Sequence, residues 1–433
     1  MSGATSVRTV GVVTDQLRRR GHPKIAVVTD SFPQPSETFI LDHVTSLIDR
    51  GCDVSVVGSP PATGTVVHES YFRYGLENEV IVRREPRSRA GAFVRCAVES
   101  AKVVARRESV GRLVDRYRSS PARAAALLRE LPPARAIAGH DLVHCHYGWN
   151  GRRMADALEV VGGRVPLVTT FHGSDVSRML EEEGPRLYDS LFERGNVFLT
   201  VSEYFRQRLL GLGAPPERTI VHHMGVDTAQ WAGIPAPPSR SGKPLKVLSA
   251  ARLVEKKGLE FALRAVARCL AEGVEVTYVI VGDGPLRKDL ESLSRRLGLA
   301  ETVRFLGMLD RDAFRQQLAW SDVLLAPSVT AVDGNMEGIP VVLMEAMAAG
   351  RCAVSTVHSG IPELVTSGVS GLLAEERNVE HLVEHLTALF YDRSQIVELG
   401  SAARRVVREQ FDADILADDL VRLYSDIIQR SVS

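Results

Sequence analysis

The chain has 433 residues, of which 45% are hydrophobic, and its 53 basic side chains balance its 53 acidic ones. This length predicts two domains of about 100–200 residues each, and the neutral charge disfavours a nucleic-acid partner. Five scattered cysteines without a C-x-x-C pair disfavour a disulfide framework and a structural zinc site.

Residues 1–23 are polar, include three consecutive arginines at 18–20 and lack the apolar segment of a signal peptide. No apolar run reaches the roughly 18–20 residues that span a bilayer. We therefore expect a tail outside the fold and a cytoplasmic protein. Peripheral contact with the inner face of the membrane stays open.

The first half of the chain, residues 24–231, begins with a strand–helix–strand unit. Residues 24–29 form a β-branched run typical of a buried parallel strand, a helix is predicted over 37–50, and 54–58 form a second strand. Further strands are predicted at 142–146, 167–172, 196–201 and 219–221. This alternation predicts a doubly wound α/β domain.

Residues 83–135 interrupt this rhythm with thirteen arginines and five acidic residues. The pattern predicts amphipathic helices interrupted at Pro121 and at Pro132-Pro133. One interpretation is a basic face that meets anionic lipid and a lipid-linked acceptor. The other is a pair of solvated helices whose arginines reflect genome composition.

A Pro/Ser/Gly-rich linker at 232–244 separates this half from residues 245–411, where the alternation starts again. Strands of the second half are predicted at 245–250, 276–281, 303–307, 323–327, 352–356 and 371–373. Residues 412–433 are predicted to form a helix that packs back on the first domain. The whole pattern predicts two doubly wound domains facing an interdomain crevice, with ligands at the carboxyl ends of the strands.

Residues 337–346 follow a buried strand and open a helix, with Pro340 suited to its first turn. The free N–H groups and dipole of a helix N-terminus suit a diphosphate, and Gly338 allows close approach to the backbone. The carboxylate of Glu337 can accept hydrogen bonds from sugar hydroxyls, and Glu345 can hold a ribose. The alternative is a capped helix with two solvated glutamates.

Arg252 and Lys257 lie between a strand and a helix, at the ligand end of the second sheet. Arginine binds phosphate through two parallel hydrogen bonds, and lysine supplies a point charge. Both suit a diphosphate leaving group whose negative charge grows during bond cleavage. The alternative is a pair of surface cations.

His172 follows a strand of the first half, so it is a candidate for hydrogen bonding in the crevice, with a core or capping histidine as the alternative. His144 and His146 are two residues apart on a strand and therefore share one face. We do not expect a metal there, because no third ligand has suitable spacing. No G-x-G-x-x-G or P-loop motif is present, which disfavours NAD, FAD and P-loop nucleotide binding.

Four motifs occur in order along the chain. They are T-F-H-G at 170–173, a turn at 222–227, R-x4-K-G at 252–258 and the E-x7-E pair Glu337 and Glu345. Together they resemble family 4 of the retaining glycosyltransferases, which have the GT-B fold of two Rossmann-like domains. Residues 32–40 and 333–340 are similar to bacterial exopolysaccharide enzymes of the colanic acid and amylovoran type.

The resemblance implies transfer of a sugar from a nucleoside diphosphate sugar with retention of configuration. The implied diphosphate site consists of Arg252, Lys257, Gly338, Ile339 and Val341. Glu345 would hold the donor ribose. Glu337 and His172 would be the catalytic residues, the first orienting the donor sugar and the second contacting the donor sugar or the acceptor hydroxyl.

The first domain is implied to bind the acceptor, a hydroxyl of a saccharide or lipid-linked molecule in exopolysaccharide or cell-surface glycan biosynthesis. Its first loop carries Ser36, Glu37 and Thr38 where many family members have two glycines. The implied mechanism is a front-face displacement in which the leaving phosphate assists deprotonation. No cofactor or metal is expected, and Asp310-x-Asp312 is better explained as a helix N-cap.

Other functions stay open. A glycosyltransferase of natural-product biosynthesis, with an aminoglycoside-like small-molecule acceptor, would share every donor residue. A GT-B nucleotide-sugar epimerase is disfavoured by the ordered Arg-Lys and Glu-Glu set. A non-enzymatic sugar-binding protein would more naturally lack a diphosphate site.

Overall fold

A computed structural model describes residues 22–432 except 35–36, 62–67, 84–88, 107, 110, 112–120 and 238–241. Most of the predicted N-terminal tail and Ser36 therefore lie outside the described residues. The described strands form two sheets, each entirely parallel. Among the described helices, none is long and apolar enough to cross a membrane.

The first sheet has the strand order β3-β2-β1-β4-β5-β6-β7. Its strands are β1 Lys24–Ser31, β2 Asp53–Ser59, β3 Val80–Val82, β4 Leu142–His146, β5 Leu167–Phe171, β6 Val197–Thr200 and β7 Thr219–Val221. The order reverses direction between β1 and β4, the position where doubly wound sheets open a ligand crevice. The short edge strand β3 was not predicted from the sequence.

The second sheet has the order β10-β9-β8-β11-β12-β13. Its strands are β8 Leu245–Ala250, β9 Val276–Val281, β10 Val303–Gly307, β11 Val323–Ala326, β12 Cys352–Thr356 and β13 Leu372–Ala374. Its order reverses between β8 and β11. The prediction of two doubly wound α/β units is confirmed, while the exact domain limits stay a prediction.

Helices cover both sheets. In the first half they are α1 Thr38–Asp49, α2 Glu69–Arg73, α3 Arg89–Ala105, α4 Pro121–Ile137, α5 Gly148–Val161, α6 Arg178–Glu183, α7 Asp189–Arg194, α8 Glu203–Gly211 and α9 Thr228–Ala232. In the second half they are α10 Leu259–Ala271, α11 Arg287–Arg296, α12 Arg311–Trp320, α13 Val341–Ala348, α14 Ile361–Leu364, α15 Val379–Tyr391, α16 Ser394–Gln410 and α17 Ala413–Val432.

The core of the first half explains why its strands read as continuous apolar runs. Residues 25–28 of the central strand β1 are fully buried, because β1 pairs with β2 on one side and β4 on the other. Ile40, Val44 and Leu47 recur at helical spacing in α1 and pack in the same apolar cluster. Burying each of these side chains stabilises the fold by about 1.5–3 kcal/mol.

The predicted helix break at Pro132-Pro133 is wrong. The helix α4 runs through both prolines, and Pro121 begins it, as suits a residue without a needed N–H group. Leu131, Ala134 and Ile137 flank the prolines and are fully buried. Their packing offsets the hydrogen bonds that the two prolines cannot donate.

Two arginines of the basic segment are internal structural groups. Arg135 donates Nε to Glu108 at 2.7 Å, and it also pairs with the buried Glu99. Arg83 lies 3.0 Å from a carboxylate oxygen of the buried Glu130. Burial acts to raise the pKa of Glu99, but Lys102 and Arg135 outweigh it and lower the pKa. Part of the arginine content therefore serves packing within the first domain.

The last helix, α17, returns to the first sheet. Arg50, just beyond α1, donates Nε to Asp418 at 2.6 Å and Nη2 to Asp414 at 3.1 Å. Leu420 and Tyr424 of α17 are buried in the apolar cluster that contains the first strand. The C-terminal segment thus packs on the first half although it follows the second.

Candidate active site

A crevice of about 1170 Å³ lies between the carboxyl ends of the two sheets. Its lining includes every predicted site residue that the structure describes, namely Glu37, Thr38, His172, Arg252, Lys257, Glu337, Gly338, Ile339, Val341 and Glu345. Loops that follow strands of both sheets supply them, as expected for doubly wound domains. The structure brings these residues together, and their individual roles stay predictions.

Glu337 is held between two lysines at the floor of the crevice. Lys257 donates Nζ to one carboxylate oxygen at 2.8 Å, and Lys256 lies 2.9 Å from the other. Burial acts to raise the pKa of Glu337, but the two cations outweigh it and lower the pKa to about 2. With only 8% of Glu337 exposed, the alternative of a solvated glutamate is not what the structure shows.

Sequence reasoning missed the second lysine of this cluster. Lys256 also donates to the carbonyl of Met336 at 3.2 Å, so it ties the Glu337 loop to the loop after β8. The available signal in the sequence was its position directly before Lys257. In the structure both lysines lie in a 3-10 turn, where two adjacent cations can converge on one acceptor.

A buried histidine supports the same loop from behind. The backbone N–H of Glu337 donates to Nε2 of His358 at 3.0 Å, and Nδ1 of His358 lies 2.5 Å from Glu376. Glu376 also accepts a hydrogen bond from the backbone N–H of Thr330 at 2.8 Å. These contacts fix His358 with its proton on Nδ1, and the sequence alone gave no signal for the pair.

Two glycines are required by close contacts around the site. A Cβ on Gly338 would lie 2.9 Å from Val201 and 3.1 Å from the carbonyl of His172, both in the first half. Gly258 has a φ of +63°, and a Cβ there would lie 1.9 Å from the carbonyl of Pro327. Gly338 therefore lets a loop of the second half approach the first half at the crevice, and Gly258 lets two loops within the second half pack closely.

Arg252 lines the crevice without an internal partner. Its side chain is exposed and makes no ion pair or hydrogen bond with the described residues. Together with Lys256, Lys257 and the N-terminal turn of α13, it makes one end of the crevice electropositive. Such a surface favours an anionic group of the ligand.

His172 lies in the opposite wall, directly after β5. Its backbone N–H and that of Gly173 donate to the same oxygen of the buried Asp175, at 3.0 and 2.8 Å. Burial and the nearby His43 lower the pKa of His172 to about 3, so the imidazole is neutral at pH 7. Its Nε2 lies 2.9 Å from His146, which is an internal contact, and hydrogen bonding of His172 to a ligand in the crevice stays a prediction.

Two family models match the chain, Glycosyltransferase Family 4 over residues 36–230 and Glycosyl transferases group 1 over residues 234–406. The putative colanic acid biosynthesis glycosyltransferase WcaL of Salmonella typhimurium is 33% identical, with 93% of this chain and 100% of the relative covered. The amylovoran biosynthesis glycosyltransferase AmsK of Erwinia amylovora is 33% identical, with 92% and 100% covered. The chain belongs to glycosyltransferase family 4.

The architecture agrees with this membership. Anabaena HepE, solved in complex with UDP and glucose, is 20% identical and superposes with a TM-score of 0.67, covering 93% of this chain and 100% of that chain. Two Rossmann-like sheets facing a crevice are the GT-B fold. The predicted fold class, family and enzyme class are therefore confirmed.

The wall of the crevice beside the first loop of this glycosyltransferase is aromatic and hydrogen-bonded. Tyr147 donates its hydroxyl to Glu37 at 2.9 Å, and its ring stacks on Trp149 with centroids 4.6 Å apart. Burial raises the pKa of Glu37, although the bond from Tyr147 lowers it. Thr38 begins α1, so α1 positions the whole first loop against the crevice.

Two motifs that suggested metals have other roles in this family 4 enzyme. Asp310 caps α12 by accepting a hydrogen bond from the N–H of Ala313 at 2.8 Å, which confirms the N-cap prediction. His144 and His146 stack with ring centroids 4.9 Å apart. Over the part of the chain that the structure describes, no group of three or more ligating side chains is arranged to hold a metal ion.

Glu345 is a titratable group with a raised pKa in the wall of the crevice that the second half supplies. It lies on α13, and burial raises its pKa from 4.5 to about 7, although the charge of Arg311 lowers it and that of Asp42 raises it. Asp42 belongs to α1, so carboxylates from the two domains approach each other here. This repulsion and desolvation destabilise the ionised form.

We expect Glu345→Gln to stabilise the enzyme at pH 8 and to have little effect at pH 4.5. The folded state binds this proton more tightly than the unfolded state, so wild-type stability falls as the pH rises from 4.5 to 7. The difference at pH 8 should reach up to about 3 kcal/mol. Urea unfolding in the absence of nucleotide measures this difference in the free energy of unfolding. Glu398→Gln, on the exposed face of α16, is the control, and an equal effect of Glu345→Gln at both pH values would contradict the assignment.

Proposed function

We propose that this family 4 enzyme transfers a sugar from a nucleoside diphosphate donor to a hydroxyl of a saccharide or lipid-linked acceptor, with retention of configuration. The observation that carries the proposal is the buried Glu337 clamped by Lys256 and Lys257 beside the N-terminus of α13. The colanic acid and amylovoran relatives support a place in exopolysaccharide or cell-surface glycan biosynthesis.

The donor diphosphate is assigned to the electropositive end of the crevice. Arg252 is free to bind phosphate through two hydrogen bonds, and Lys257 supplies a point charge. The backbone at Gly338, Ile339 and Val341 adds helix N-terminal N–H groups. These groups stabilise the charge that develops on the leaving diphosphate.

The sugar lies between the two walls of the crevice in this proposal. Glu337 is ionised and held in place by the lysines, so it serves as an acceptor for sugar hydroxyls rather than as an acid. His172 faces it from the first domain as a neutral imidazole. Glu345, at the other end of the donor site, would hold the ribose.

The reaction is proposed as a front-face displacement in which the leaving phosphate assists deprotonation of the acceptor. The fixed cations of Arg252 and the lysine pair supply positive charge at the diphosphate, so no metal is needed for this role. Proton NMR of the product should show the anomeric configuration of the donor. An inverted product, or a trapped glycosyl-enzyme adduct, would overturn this mechanism.

We expect one nucleoside diphosphate from a panel of UDP, GDP, ADP and dTDP to raise the melting temperature, equally with and without EDTA. At about a hundred times its dissociation constant the ligand should add about 2.7 kcal/mol of stability. UDP is tested first, because HepE was solved with UDP. Arg252→Ala should abolish the shift, whereas Arg264→Ala on the exposed face of α10 should keep it. No shift with any nucleotide would contradict the donor site.

We expect Glu337→Ala and Lys257→Ala each to lower kcat by about 10²-fold or more, because each removes a group aligned with the transferred sugar or its leaving group. Lys288→Ala, an exposed lysine on α11, is the matched control. Circular dichroism should show that the variants stay folded. Near wild-type turnover in either site variant would refute the proposed geometry.

The remaining part of the proposal concerns location. We propose a cytoplasmic enzyme whose residues 83–135 make peripheral contact with the membrane. The arginines of this segment other than Arg83 and Arg135 would bind anionic lipid near a lipid-linked acceptor. Liposomes rich in phosphatidylglycerol should sediment the enzyme at low salt and release it at high salt, since the attraction is screened. Absence of pelleting at low salt would remove the membrane interpretation.

A further inference from the structure

A continuous series of hydrogen-bonded side chains leads from the crevice into the first domain. Nε2 of His172 lies 2.9 Å from Nδ1 of His146, and Nε2 of His146 lies 2.9 Å from Nδ1 of His43. Nε2 of His43 lies 3.1 Å from the hydroxyl of Tyr424 on α17. The crevice is therefore connected to the C-terminal helix through three imidazoles.

The series continues beyond this helix. The Tyr424 hydroxyl also bonds to Nδ1 of His144, and Nε2 of His144 lies 2.7 Å from Oγ1 of Thr170. We call the whole series the imidazole file, which consists in order of His172, His146, His43, Tyr424, His144 and Thr170. Among the family motifs quoted above, T-F-H-G at 170–173 contains the two end members, His172 and Thr170, and none of the motifs contains the four members between them.

The direction of the hydrogen bonds in the imidazole file is collective. Burial lowers the pKa of its four histidines, so all are neutral at pH 7. A neutral imidazole has one N–H donor and one acceptor nitrogen, and a tyrosine hydroxyl has one proton. Fixing the direction of one bond therefore fixes the direction at the next imidazole. The oxygen of Tyr424 could accept from both His43 and His144, but the proton of this buried hydroxyl would then have no partner among the described residues. Two arrangements remain, and in each of them all the bonds run in one direction.

The two arrangements differ at the ends of the file. In the first, Thr170 donates to His144, every later bond points toward the crevice, and His172 carries its proton on Nδ1. In the second, every bond points inward, His144 donates to Thr170, and Nδ1 of His172 is a bare acceptor.

The burial of Thr170 decides between them. The hydroxyl has no other partner among the described residues, so the second arrangement leaves its proton without an acceptor in the described chain, beside a small cavity of about 120 Å³. The first arrangement satisfies that proton and leaves the N–H of His172 Nδ1, which also has no partner within the described chain. Nδ1 itself is buried in this structure, and His172 lines the crevice, so an oxygen of a ligand bound there is the acceptor that we assign to this N–H.

We propose that the imidazole file holds the proton of His172 on Nδ1, so that His172 donates a hydrogen bond to an oxygen of the bound sugar substrate. Tyr424 and Thr170 are then positioning residues of the transfer, although neither touches the crevice. The contact with substrate rests on the proposed function. The tautomer of His172 is a property of the free enzyme and is tested separately.

The test is nitrogen NMR of the enzyme labelled with 15N-histidine. Long-range proton–nitrogen spectra distinguish the two tautomers of neutral histidine, and the spectrum of His172→Gln assigns the signal of His172. We expect a single Nδ1–H tautomer in the wild type. In Tyr424→Phe the file loses its link to Thr170, and His172 should become a mixture of both tautomers.

The matched control is Tyr74→Phe, which removes a hydroxyl that bonds to Asp49 of α1 outside the file. We expect Tyr424→Phe, but not the control, to lower the kcat of transfer by about tenfold. The dissociation constant of the nucleotide should change by less than about twofold, since the diphosphate site is untouched. An Nε2–H tautomer in the wild type, or an unchanged tautomer in Tyr424→Phe, would overturn the proposal.

Thr170→Val provides a second variant in case Tyr424→Phe does not fold. It removes the donor at the far end of the file with little change in shape, and it should give the same mixture of tautomers. If no nucleotide binds to any protein but the tautomers change as described, the proposed function fails and the file is supported. If nucleotides bind and the tautomer stays fixed in both variants, the file is refuted and the donor site stands.

Discussion

The structure of the site depends on one buried ion cluster, the carboxylate of Glu337 between Lys256 and Lys257. Three mostly buried charges are stable only if their side chains are held in a fixed geometry, because displacement of one partner leaves an uncompensated buried charge. The surrounding structure meets this demand. His358 holds the backbone of the carboxylate loop, and Gly338 lets that loop sit against the first domain.

The two domains contribute opposite kinds of chemistry to the crevice. The second domain presents fixed charges, which suit a diphosphate, on loops beside the N-terminal turn of α13. The first domain presents neutral hydrogen-bonding groups, because burial keeps its histidines uncharged. Sugar hydroxyls are neutral and bind well to such groups, so the division matches a substrate with one charged and one uncharged part.

Much of the fold followed from the sequence, because parallel strands buried on both faces give apolar runs that are easily recognised, such as residues 24–29. The loop residues of the proposed donor site could also be predicted, because they come directly after such strands in the sequence. The imidazole file could not be predicted, since His43 and Tyr424 are 381 residues apart and meet only through tertiary packing. The helix through Pro132-Pro133 was mispredicted for the same reason, because buried neighbours override local propensity.

The return of α17 means that the polypeptide crosses between the domains twice. The two crossings run side by side, where the backbone of Val226 pairs with that of Asp412 and Gly225 packs directly on Ala413. A single tether would let one domain turn freely against the other. Two adjacent tethers hold the domains together along one side of the crevice and restrict such turning.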